Sequence, residues 1–291
     1  MWVQKKKIYL IRKRGIGDVL WIEPVLQKLS KTFKKVIVYT KYPDLFLNYP
    51  DKNVEIKYNL TIFEKLIIQI ERLFRISFFT INLENSYEKK PHQHFLHAYQ
   101  QKARLPLTNE VPKLYLINND DGNKNEKIAV VNISTISGAE NYRNVYGIDW
   151  KIFLEFLESK GYKIIEIGTS PGIFRQYYKK TSVKEMIHII SNASCFIGLD
   201  SGPSHIAAAL NIPSITFFGA VKPEYRHFKD HFTGYILQNH CQFAGCYHDK
   251  KLGEKMVCKI VGEKGIPPCC NHTTNDILNT FLKLEENYIN V

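Results

Sequence analysis

The chain has no run of about 18 uncharged apolar residues, the length that a membrane-spanning helix needs. It has no internal repeat of short period, and Met1-Trp-Val-Gln runs at once into three lysines and a strand-like segment, without the small-residue cleavage site of a secretory signal. A cytoplasmic protein is therefore expected, with peripheral contact at the inner face of the membrane still compatible. Helix-turn-helix, finger and RNA-binding signatures are lacking too, and the basic residues are spread along the chain, which argues against a nucleic-acid partner. What the chain does have is positive charge: 40 Lys plus Arg against 28 Asp plus Glu leave a formal net charge of +12. That balance raises the local concentration of anionic ligands such as nucleotide diphosphates, phosphorylated glycans and lipid head groups, without choosing among them. With 44% hydrophobic and 23% charged residues over 291 positions, the composition is globular and long enough for two domains of ordinary size.

Short apolar runs alternate with helical periodicity. Strands are expected at Ile8–Ile11, Val36–Thr40, Val54–Lys57 and Ser77–Leu83, with helices over about 18–33, 61–75 and 94–102. The polar run Asn118-Asn-Asp-Asp-Gly-Asn-Lys-Asn-Glu126 has the composition of a surface linker and divides the chain into domains 1–124 and 125–291. Beyond it, strands Ile128–Ile133, Lys163–Ile167, Cys195–Leu199 and Ser214–Phe218 alternate with helices Asp149–Ser159, Val183–Ser191 and Pro203–Leu210. A cysteine-rich segment, 241–270, and a terminal helix follow. This alternation predicts an α/β protein of two Rossmann-like domains with parallel sheets. In the helix over 61–75, Ile62, Phe63, Leu66, Ile67, Ile70, Leu73 and Phe74 form one stripe, which is expected to pack on a sheet rather than to lie on a membrane.

Two strand-to-helix turns stand out. Gly198-Leu-Asp-Ser-Gly-Pro-Ser-His205 reads as a buried strand that ends sharply and opens into a helix. Ser201 and Gly202 let a ligand approach the backbone, Pro203 suits the first helical turn, and the amides up to Ser204 together with the helix dipole favour a phosphate or diphosphate. Asp200 and His205 are near enough in sequence to touch the same ligand, although Asp200 would serve equally as a helix cap. The second turn is Arg14-Gly-Ile-Gly-Asp18, which follows the strand-like Lys7–Arg12. Gly15 and Gly17 allow close backbone approach, and Asp18 stands where a cap or a first-turn carboxylate would stand. The third glycine and the later acidic residue of a dinucleotide fingerprint are missing.

One such turn in each half, Gly17-Asp18 and Asp200-Ser-Gly-Pro-Ser-His205, resembles the inverting glycosyltransferases of the heptosyltransferase family, which carry Gly-Asp near the start and Asp-Ser/Thr-Gly-x-x-His in the second half. The resemblance runs over Arg14–Leu29, more loosely over Tyr99–Leu107, and over about 182–219. It implies a GT-B fold, with an acceptor-side N-terminal domain and a nucleotide-sugar-binding C-terminal domain facing one cleft. Asp18 would be the general base, with Lys13, Gly15 and Gly17 on the acceptor side. Asp200, Ser201, Gly202, Pro203, Ser204 and His205 would bind the donor, ADP-heptose being favoured. Arg143, ahead of Trp150, is the nearest match to the family's phosphate-contacting basic residue. The acceptor would be a lipopolysaccharide-type glycan or glycolipid, or alternatively a protein, and a silent sugar-nucleotide-binding protein would keep the second turn without needing a base at Asp18.

No Asp-x-Asp triplet is present, so the metal clamp of the other large glycosyltransferase fold is not expected, and helix amides with a cation such as Arg143 or Lys13 would meet the leaving group's charge without a catalytic cofactor. Five of the six cysteines crowd into Cys241, Cys246, Cys258, Cys269 and Cys270, while Cys195 stands alone in an apolar strand. In a cytoplasmic chain such thiols point to a structural zinc or iron ion held by four cysteines, or by three and a histidine such as His248 or His272.

Overall fold

Runs of β-branched and aromatic residues only a few positions long become central strands, because burial on both faces requires continuous apolar character. The computed structural model describes residues 7–74, 76, 78–116, 126–133, 141–172, 174–251 and 253–290. Its contacts divide the chain into two units, Met1–Ile117 and Asn118–Val291. Most of the expected linker, most of the 134–143 loop and the first residues of the chain lie outside the described residues.

The first unit comprises β1 (Ile8–Ile11), α1 (Ile16–Leu20), α2 (Glu23–Thr32), β2 (Val36–Tyr39), β3 (Val54–Lys57), α3 (Ile62–Leu73), β4 (Thr80–Asn82) and α4 (Phe95–Ala103). Its sheet is parallel, in the order β3-β2-β1-β4, with Leu10 opposite Val38 on one side and Ile81 on the other. The helix expected over 18–33 is two helices. Pro24 is the reason: it lacks an N–H and is tolerated only in a first turn, so it starts α2 after a break at Trp21 and Ile22. The strand expected over 77–83 shortens to β4.

The apolar stripe of α3 does not pack on the sheet as expected. Ile62, Phe63 and Leu73 are 82%, 79% and 77% exposed, whereas Glu64 and Glu71 are buried. Each glutamate has partners that make burial tolerable. Glu64 forms a capping box with Thr61 and accepts from Lys57 Nζ at 2.7 Å, while Glu71 accepts the backbone N–H groups of Phe78 and Phe79 at 2.7 and 2.6 Å. These polar contacts fix which side of the helix faces the sheet.

The second unit comprises β5 (Ile128–Asn132), α5 (Trp150–Ser159), β6 (Lys163–Gly168), β7 (Tyr178–Lys180), α6 (Val183–Ser191), β8 (Cys195–Leu199), α7 (Gly202–Ala209), β9 (Ser214–Phe217), β10 (Gly234–Leu237) and α8 (Thr274–Leu284). The six strands are parallel, in the order β10-β9-β8-β5-β6-β7. Edge strands β7 and β10 were not expected from the sequence. Ala129, Val131, Ile197, Ile215 and Phe217 from the sheet form one core with Phe153 and Leu157 of α5 and with Ile277, Phe281 and Leu284 of the terminal helix.

Candidate active site

In each unit the strand order reverses once, between β1 and β4 in the first and between β5 and β8 in the second. Loops leaving the carboxyl ends of strands at such a reversal diverge and open a ligand crevice. Both glycine turns sit at these positions.

Strand β1 is followed at once by Arg12, whose side chain is buried and spans the first reversal. Its guanidinium lies 3.0 Å from Asp18 Oδ2 and 3.5 Å from Glu88 Oε1, and Nη1 donates to the Leu83 carbonyl beyond β4 at 3.5 Å. Rings of Tyr87 and Tyr99 flank it at 5.4 and 5.8 Å. Burial works against the charge of Arg12, but Tyr99, Asp18, Tyr87 and Glu88 more than offset it, and the group is a permanent cation. Burial pushes the Glu88 carboxyl above its ordinary range, with Arg12 pulling down and the charge of Asp18 pushing up. Gly15 has φ +79°, and a Cβ there would fall on the Asp18 carboxylate, so the turn folds the carboxylate back over its own backbone. Asp18 remains partly open to solvent, with 23% of its side chain exposed. Lys13 donates its backbone N–H to Glu84 and sends its ammonium over Tyr39 at 5.6 Å, while Gly17 is buried inside α1. Arg12 and Glu88 were not singled out in the sequence. A charged residue closing an apolar strand is a usable signal for Arg12, but nothing local marks Glu88.

At the second reversal Asn132, the last residue of β5, ties the parts together. Its amide donates to the Ile167 carbonyl of β6 at 2.8 Å, and its oxygen accepts from the Ser201 hydroxyl at 2.8 Å. While it donates to Asn132, the Ser201 hydroxyl also takes part in a capping box with Ser204 at the head of α7. Ser204 donates to the Ser201 carbonyl at 2.8 Å and accepts the Ser201 N–H at 3.2 Å. The head of α7, with Pro203 in its first turn, points the positive end of its dipole out of the carboxyl edge of the sheet. Asp200 lies 3.7 Å from His205 Nε2, and the His205 ring stacks on His227 at 4.6 Å. Among the described residues, Asp200, His205 and His227 are the group of possible metal ligands whose ligand atoms all lie within 4.8 Å of one another. Burial, helped by Arg226, pushes His205 down to about 3, and burial with the His205 neighbour depresses His227 as well. His205 is therefore a neutral imidazole near pH 7.

These two histidines set an acid limit on the fold. The unfolded chain takes up protons at them below about 6.5, whereas folded His205 refuses its proton until about 3 and His227 is depressed in the same direction. Their contribution to stability is present above that window and is lost as pH falls through it. Urea midpoints measured stepwise across the window should decline, and His227→Phe should flatten the decline. An identical slope in the variant would assign the acid sensitivity to other groups.

Arg143 lies on a 3₁₀ turn, Asn141–Arg143, and leans against Tyr142 and Tyr247, with its guanidinium 5.9 and 6.0 Å from the ring centres. Tyr142 leads into the cysteine segment. Cys241, Cys246, Cys258 and Cys269 line one cavity of about 10 Å³, room for a single water-sized occupant. Cys270 does not line it, but its sulfur lies 3.9 Å from that of Cys269 and its thiol donates to the Tyr142 carbonyl at 3.3 Å. His248 accepts the Lys222 N–H at 3.1 Å and His272 packs edge-on to Phe217, so neither lines the cavity. All six cysteines are unpaired. Burial, with the neighbouring Cys269 and Cys258, pushes the Cys246 thiol up to about 11.

Residues 174–252 match the sequence model of glycosyltransferase family 9 (heptosyltransferase). Lipopolysaccharide heptosyltransferase 1 of Campylobacter coli is 42% identical over 81 residues, 26% of this chain and 23% of that protein. Lipopolysaccharide heptosyltransferase 3 of Escherichia coli is 51% identical over 41 residues, 14% of this chain and 12% of that protein. The chain thus spans a quarter or less of the length of these curated relatives. Among solved structures, the iron-containing dodecameric glycosyltransferase TibC from enterotoxigenic E. coli is similar with a TM-score of 0.72 at 18% identity, over 97% of this chain and 77% of that one. The ADP-heptose lps heptosyltransferase II of E. coli is similar with a TM-score of 0.61 at 14% identity, over 96% of this chain and 98% of that one. The resemblance to the heptosyltransferase family is borne out over residues 174–252, which hold the second turn, and the α/β fold of two parallel sheets matches that of solved heptosyltransferases.

Proposed function

We propose that the chain is an inverting glycosyltransferase that moves a heptose from ADP-heptose to a lipopolysaccharide-type glycan, the second unit holding the donor and the first supplying the base. The observation that carries this reading is the Asp200–His205 turn at the head of α7, inside the segment that matches family 9. Asp18 takes a proton from an acceptor hydroxyl, and that oxygen attacks the anomeric carbon from the face opposite the leaving group. The bond from the anomeric carbon to the diphosphate breaks, and the nucleoside diphosphate departs with inversion. Its charge is met by the dipole of α7 and by Arg143. Arg12, itself held by Glu88 and the Leu83 carbonyl, holds Asp18 in place, and His205 and Asp200 orient the donor.

The cysteine segment offers ligands for a structural ion, although no three of its described sulfurs lie within 4.8 Å of one another, so they would draw together to hold it. Four thiols on one small cavity are the soft ligand set that zinc or iron takes, and Cys241, Cys246, Cys258 and Cys269 would hold it, with Cys270 committed to Tyr142. Such an ion cross-links the segment, and the transfer steps above do not use it.

The direct test incubates the purified chain with ADP-heptose and a heptose-deficient core glycan. ADP release should match a mass gain of one heptose on the glycan. Binding of ADP-heptose with no turnover would leave a sugar-nucleotide-binding protein, and transfer to polypeptide alone would change the acceptor class.

A further inference from the structure

We infer that the solvent face of α3 is a docking surface for an anionic lipid membrane. At roughly 100° per residue, Ile62, Phe63, Leu66, Ile70, Leu73 and Phe74 occupy one arc of about 120°, turned away from the buried Glu64 and Glu71. All six are exposed, as are Phe78 and Phe79 at 74% and 53%. Single exposed hydrophobics are ordinary, but a contiguous face of this size on one helix marks an interaction site.

The charge pattern selects the occupant. Both carboxylates of α3 are withdrawn from the surface, Glu64 onto Lys57 and Thr61, and Glu71 onto backbone amides. The exposed charged side chains described on the helix are Lys65 and Arg72, which lie together on one flank of the apolar arc. Just before the helix, Lys41 sits 4.0 Å above the ring of the exposed Tyr58. Apolar and aromatic side chains on one face, cations at its margin and no exposed acid is the pattern of a helix lying flat in a lipid interface, where long basic side chains reach the head groups. A second copy of the chain fits less well, because a two-fold contact on this face would bring Lys65 and Arg72 toward their own counterparts.

The inference is independent of the transfer chemistry, and its test uses neither donor nor acceptor. The full chain should sediment with vesicles of phosphatidylglycerol and phosphatidylcholine, weakly with phosphatidylcholine alone, and less in high salt. The double variant Phe63→Ser, Leu73→Ser, which touches only exposed positions, should keep the wild-type melting temperature and lower vesicle partitioning about ten-fold or more. Lys65→Glu with Arg72→Glu should abolish the preference for anionic vesicles. Failure of the wild-type chain to sediment with anionic vesicles, or partitioning unchanged in both variants, overturns the inference. So does a dimer in sedimentation velocity that dissociates in the serine variant, which would assign the face to a second copy.

Discussion

Asp18→Asn is expected to lower kcat by about 1,000-fold while leaving the affinity for ADP-heptose and the melting temperature near wild type. The estimate lies within the range for removal of a general base. Asparagine keeps the shape of the side chain, so Gly15 and the α1 turn need not move, but it cannot take the acceptor proton. Arg12 keeps Glu88 and the Leu83 carbonyl as partners, which limits the structural consequence. The discriminating measurements are single-turnover kinetics with saturating donor and calorimetric titration with ADP. Turnover within a few-fold of wild type would remove Asp18 from the mechanism. A parallel loss of ADP binding would show instead that the substitution disturbs the fold.

Removal of metal is expected to be the most damaging single change to stability. Protein purified without added metal should contain about one equivalent of zinc and iron combined, since the cavity has room for one occupant. Binding to an assembled thiolate site is folding free energy, because the unfolded chain offers no such site. Chelation should therefore lower the melting temperature by on the order of 10 °C or more, the shift that a loss of several kcal/mol produces in a chain of this size. The variants separate ligands from bystanders. Cys246→Ser should lose the metal, while Cys270→Ser should retain it, its thiol bonding the Tyr142 carbonyl outside the ligand set. Less than about a tenth of an equivalent of metal, with the thiols freely titratable in the native protein, would show that the cysteines merely fill a surface segment.

What was legible in the sequence was local. Val36–Tyr39 is a dense β-branched and aromatic run and Cys195–Leu199 a short run free of polar side chains, and the two glycine turns announce themselves at strand ends. What was not legible depends on partners distant in sequence. Arg12 gains its meaning from Glu88, and Asn132 from Ile167 and Ser201. The orientation of α3 is the plainest case. Periodicity locates a stripe without saying which side the sheet will cover, and here two glutamates with fixed partners decide the matter against the hydrophobic count. The break before α2 was legible and overlooked, since Pro24 cannot sit inside a helix.

Gly15 was expected to clear space for a ligand, yet the atom occupying its missing Cβ position belongs to Asp18. The glycine is a seat for the carboxylate. Positions 15 and 18 therefore cannot drift independently among descendants of this chain. Any side chain at 15 must adopt an unfavourable positive φ and evict the carboxylate, and the lineages that tolerate one will be those in which residue 18 has already shrunk and the base has been given up.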